Sequence, residues 1–187
     1  MMTSMTTQIL GLPRGRPLTR ADLDAMPDDG HRYELVDGAL IVSPAPGLRH
    51  QRAVVRLCVA LVAACPDGTE VLTAPFDVVL GPDTVIQPDL LMARTADLTD
   101  RELAGPPLLA VEVLSPSTRG IDLLLKKDRL ARARCPHYWV VDPLRPAITA
   151  WRLVGADYVT VAEVMGDDEF RATDPVDVVL VPADLTA

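Results

Sequence analysis

The sequence predicts an α/β (α+β) domain, one central mixed β-sheet packed by two long helices, with an additional N-terminal hairpin and C-terminal strands. Three observations predict it. The element signals run helix, hairpin, helix, a strand-rich middle, helix and strands again. Residues 108–114 are apolar at every position but one, as in a strand buried on both faces. The chain has 187 residues, the size of one domain with a core of its own.

Residues 1–17 are small, polar and punctuated by Pro and Gly, and read as a flexible N-terminal arm before a single domain over 18–187. Thr19 with Asp22 three positions later is a capping signature, and Pro27 ends the helix it opens. Residues 32–36 form a strand, Asp37-Gly38 is the strongest short hairpin signal, and 39–42 return. A Pro-rich loop follows over 43–47. Residues 50–64 form a helix opened by His50, whose apolar stripe runs Val54, Leu57, Cys58, Leu61; Pro66, Asp67 and Gly68 stop it. Strands are expected at 70–73, 76–80 and 85–93, the last interrupted by Pro88, which makes its first half an edge or an entry. After the strand at 108–114 comes a second long helix over 122–134. Strands at 137–141, 147–154 and 158–161 follow, and the Val-rich tail from Arg171 holds a last one.

Composition excludes several classes. Hydrophobic residues are 49% and charged residues 24%, so the chain is not globally disordered. Three cysteines and three histidines are too few for a disulfide scaffold or a Cys/His zinc module, and the odd count reads as reduced thiols in a cytoplasm. The longest apolar run, 57–65, falls far short of the roughly 20 residues a membrane-spanning helix needs. The N-terminus has no basic segment ahead of its apolar residues, against a secretion signal. A net charge of −8 makes a poor non-specific polyanion binder, so any nucleic-acid role must rest on a local site. Only two of the 18 basic residues are lysine, the adjacent Lys126 and Lys127, and they sit in the one basic segment, 121–134.

Three carboxylates stand inside strand-like runs. Glu112 is the one charge in 108–114 and shares a face with Leu108, Ala110 and Leu114. Asp89 shares a face with Leu91 and Ala93, and Glu34 stands in Arg-Tyr-Glu-Leu-Val. An ionised carboxylate in apolar surroundings must be paired, protonated or given a metal. Plainer readings stand beside this one: Glu34 facing solvent next to Arg32, and Asp89 as a turn or cap residue after Pro88. Both lysines border the apolar face of their helix, and periodicity does not separate them; either also reads as a snorkelling surface residue.

Taken in order, Arg32-Tyr-Glu-Leu-Val-Asp-Gly38, Ser43-Pro44 with His50-Gln51, Gln87-Pro-Asp-Leu-Leu91, Val111-Glu-Val-Leu-Ser-Pro-Ser-Thr118, Asp122 with Lys126, and Tyr138-Trp-Val-Val-Asp-Pro143 resemble the Uma2 family, of the restriction endonuclease-like, PD-(D/E)XK fold. The resemblance implies a four-stranded mixed core flanked by helices, and a Mg²⁺-dependent endonuclease hydrolysing phosphodiester bonds in nucleic acid, DNA in the first place, with Mn²⁺ as a substitute. By position it makes Glu34, Asp89, Glu112 and Lys126 catalytic, gives the metal to Asp89, Glu112 and the carbonyl of Val113, and prefers Lys126 to Lys127. His50 and Lys127 are candidates for a supporting or phosphate contact. By analogy, cutting both strands of a duplex needs two sites and hence a homodimer. The rival reading is a catalytically silent protein of the same fold that binds or scaffolds.

Overall fold

The computed structural model describes residues 12, 13 and 15–187. Residues 1–11 and 14 of the expected arm lie outside the described residues. The first helix forms where its cap predicts: the Thr19 N–H donates to the Asp22 carboxylate at 2.8 Å, closing the first turn of α1 (Arg20–Asp24). β1 (Arg32–Val36) and β2 (Ala39–Ser43) pair antiparallel around Asp37 and Gly38. Both turn residues have positive φ, 48° and 76°, as a two-residue primed turn requires. α2 (Leu48–Ala63) starts two residues earlier than expected, so His50 lies in its first turn instead of opening it. Its inner face buries Ala53, Val54, Leu57 and Leu61.

The remaining strands are β3 (Thr69–Thr73), β4 (Asp77–Gly81), β5 (Thr84–Ile86), β6 (Leu90–Arg94), β7 (Glu102–Ala104), β8 (Leu109–Val113), β9 (His137–Asp142), β10 (Ala147–Val154), β11 (Asp157–Met165), β12 (Phe170–Ala172) and β13 (Val178–Leu180). The single expected sheet is in fact two, plus a hairpin: β2-β1-β5-β4-β7, β11-β10-β9-β8-β6-β3, and β12-β13. The division falls at Pro88. The expected strand over 85–93 breaks there, because proline has no N–H to give a ladder, and its halves join different sheets as β5 and β6.

In chain order, α2, β3, β6 and β8, then a helical segment and β9, build the four-stranded mixed core that the resemblance implied. β3–β6 and β6–β8 are antiparallel and β8–β9 is parallel. β10 and β11 extend it to six strands. The expected second long helix is shorter and irregular: a π-helical stretch, Ile121–Lys126, runs directly into α3 (Lys127–Arg132).

The large sheet is covered on both faces. Leu90, Met92, Leu109, Val111 and Val113 pack with the inner face of α2. Their alternates Leu91, Ala93, Ala110 and Leu114 pack with Val36, Val78, Ile86 and Leu130 from the smaller sheet and α3. Period two therefore holds along β6 and β8, and Glu112 lies on the second of these faces, between the two sheets.

Candidate active site

The antiparallel register that sets Leu90 opposite Val111 carries Asp89, just before β6, to the level of Glu112. The Val113 N–H donates to Asp89 Oδ2 at 2.8 Å and pins it to the end of β8. From the other sheet, β1 projects Glu34 inward, where the Gln87 N–H donates to its Oε1 at 2.7 Å. The π-helical segment supplies Lys126, whose ammonium lies 2.8 Å from Glu34 Oε1 and 2.9 Å from Glu112 Oε1. All four residues named from the sequence thus meet. They are also deeply buried: Glu34 is 0%, Glu112 1%, Lys126 1% and Asp89 4% exposed. The solvent-facing reading of Glu34 fails on that burial, whereas Asp89 does sit in a bend after Pro88, with its side chain turned inward.

Two further members stand in the motifs of the sequence but were given no role at the site. Asp122 is buried, with Oδ1 3.7 Å from Lys126 Nζ, and its backbone carbonyl accepts the Tyr138 hydroxyl at 2.9 Å. Its place four residues before Lys126 was the available signal. For Arg32 the signal was its place two residues before Glu34, on the same face of the strand. It donates to Asp89 Oδ1 at 2.9 Å, and its Nε lies 3.7 Å from Glu34 Oε2. His50 reaches in from α2, with Nε2 3.1 Å from Asp89 Oδ2. Lys127 does not join the cluster. One position further round the helix, its ammonium lies 3.9 Å from the centre of the Trp151 ring, so its expected role at the site is not supported.

Four carboxyl groups, Glu34, Asp89, Glu112 and Asp122, therefore face the Arg32 guanidinium and the Lys126 ammonium. Burial pushes the Glu112 carboxyl well above its usual range; Lys126 offsets this only partly, and Asp122, Asp89 and Glu34 add to it. Burial likewise raises Asp122 against the pull of Lys126. Burial alone would depress Lys126, but Glu112, Glu34 and Asp122 outweigh it and hold the ammonium charged. At Asp89 burial is again opposed, here by His50, Arg32 and the Val113 N–H, and the carboxyl falls well below its usual range.

Above the cluster opens a cavity of about 830 Å³, lined among others by Arg32, His50, Gln87, Asp89 and Ser115. Asp89, Arg32 and His50 face it, while Glu34, Glu112 and Lys126 lie beneath.

Residues 20–182 match the sequence profile of Uma2, described as "Putative restriction endonuclease". The chain belongs to the Uma2 family. No curated protein matches it. Among solved structures, a protein described as a "putative nuclease belonging to DUF820" from Anabaena variabilis ATCC 29413 superposes with a TM-score of 0.72 at 15% identity, over 91% of this chain and 98% of that one. This likeness establishes the shared fold. For a Uma2 chain, the donor set can be tested against a divalent ion. Hard carboxylate oxygens in excess of cations fit one, and Glu34 Oε2 is buried without a hydrogen-bond partner. In the arrangement described, Lys126 stands between Glu34 and Glu112, and among the described residues no three His, Cys, Asp or Glu side chains stand at ion-holding spacing.

Proposed function

We propose that this Uma2 protein is an endonuclease that hydrolyses phosphodiester bonds of nucleic acid, DNA in the first place, with a divalent cation held by Asp89, Glu112 and the Val113 carbonyl. One observation carries the reading: Glu34, Glu112 and Lys126 converge from both sheets and a helix just beneath one cavity whose wall Asp89 joins, with more carboxyl groups than cations. The family description and the nuclease description of the Anabaena variabilis protein support it. Magnesium, or manganese in its place, supplies Lewis-acid polarisation and a water of lowered pKa when bound.

The chain's own groups do the rest. Arg32 and His50 face the cavity beside Asp89, where a phosphate would enter, and charge-assisted donors of this kind hold its oxygens. Lys126 adds positive charge beneath the site as negative charge develops on the phosphate, and Glu34 fixes that lysine in place. Cysteines 58, 65 and 135 are all free, in keeping with a reducing cytoplasm.

The test is cleavage of supercoiled plasmid and of single-stranded DNA with magnesium or manganese, comparing wild type with Asp89→Asn and Lys126→Ala. Both variants should lose at least about a hundredfold in rate, the scale of removing one electrostatic contributor. Cleavage in a chelator, or undiminished cleavage by Asp89→Asn, would overturn the reading. The rival, a binding protein without turnover, draws on the complete engagement of Lys126 by Glu34 and Glu112. It predicts that neither DNA is cut at any metal concentration while single-stranded DNA still binds.

A further inference from the structure

A helix with a buried inner face should be polar outside. α2 is not. Leu48, Val55, Val59 and Val62 are exposed by 67%, 59%, 66% and 55%. At 3.6 residues per turn they fall within a stripe about 60° wide, opposite the buried face of Ala53, Val54, Leu57 and Leu61. The spacings of seven, four and three residues are those of a coiled-coil seam, which packs against another helix.

The charges around the stripe select the occupant. Arg49 and Arg52 are exposed near the N-terminal end of α2, and Asp67 and Glu70 are exposed just past its C-terminal end. The carbonyls that end the helix add partial negative charge there. A second copy laid antiparallel, with Val55 on its Val59, sets each copy's Arg49 and Arg52 against the other's acidic end. Parallel pairing would stack Arg52 on Arg52. The pattern is self-complementary, as a twofold interface requires. We infer that α2 is the dimerisation helix of this protein, pairing antiparallel with α2 of a second copy through Leu48, Val55, Val59 and Val62. His50 lies in the first turn of the same helix, on the side away from the stripe, so the pairing surface and the contact to Asp89 occupy different faces of α2.

Self-association does not depend on what the site cuts, and its test uses no substrate. Sedimentation equilibrium over a concentration series should give twice the 20.2 kDa chain mass for wild type. Val59→Glu should raise the dissociation constant at least about tenfold, since each dimer buries two copies of the introduced charge. Arg52→Glu, which leaves the apolar stripe intact, should also weaken the dimer and make it less sensitive to salt. Val161→Glu, at an exposed position on β11, should leave it unchanged, and far-ultraviolet circular dichroism should match wild type for every variant. A wild type that stays monomeric at all concentrations overturns the inference. So does a dimer that survives Val59→Glu and Arg52→Glu, or one broken by Val161→Glu instead.

Discussion

Lys126 is the side chain on which the buried acids depend. Among the described residues it is the one cation within 4.0 Å of both Glu34 and Glu112, and all three are almost fully buried. Removing one partner of a buried ion pair leaves the others uncompensated. Lys126→Met should therefore cost about 3–5 kcal/mol of stability, read from urea unfolding. Adding Glu112→Gln to that variant should restore part of the loss, because one surplus charge goes with it. Asp89 answers to acid. Its folded pKa lies below the ordinary 3.8, so its contribution is complete above that value and is lost as pH falls through the lower folded one. Urea titrations down a pH series should show wild type losing stability through that window, and Asp89→Asn losing less. Glu112 runs the other way: its raised pKa means that its contribution is present below the ordinary 4.5 and lost as pH rises through the folded value.

Among the elements, the β1–β2 turn and the π-helical segment do the positioning. Gly38 has φ 76°, and a Cβ built there would lie 2.4 Å from Pro17 Cβ. Asp37 beside it is held by Arg132 at 2.6 Å and Arg129 at 3.1 Å, tying the turn to α3. Gly38→Ala should thus cost at least about 1–3 kcal/mol from backbone conformation alone, visible as a lowered midpoint in urea. The Asp37-Gly38 turn was legible because two adjacent residues with a positive-φ preference have few other uses. The π-helical turn was not. Its hydrophobic spacing is compatible with an ordinary helix, and the pull that seats Lys126 inward comes from Glu34 and Glu112, which are distant in sequence. Pro88 marked the break in the strand over 85–93, but nothing local said that its two halves would enter different sheets.

Across the whole molecule, the large sheet buries apolar side chains on both faces, and the reactive groups follow that division. Cys135 is fully buried in the layer between the sheets, and burial pushes its thiol up to about 12, whereas Cys58 and Cys65 are only partly buried. A thiol reagent at about pH 8 should label Cys58 and Cys65 well before Cys135, which should react only as fast as the domain unfolds. Among the described residues no helix is long and apolar enough to cross a membrane, in line with the short apolar runs of the sequence. By itself the sequence determined the order of most elements, though not β7, β12 or the π-helical stretch, the alternation along β6 and β8, and the suspicion attached to Glu34, Asp89 and Glu112, because period-two patterning and the cost of an unpaired charge are local facts. The tertiary structure placed Lys126, which the resemblance preferred and the spacing left open, against those acids, and it alone decided that Arg32 and Asp122 belong with them and that α2 keeps a second apolar face. Each of these is set by which distant segments pack together, and a single chain's spacing carries no record of that.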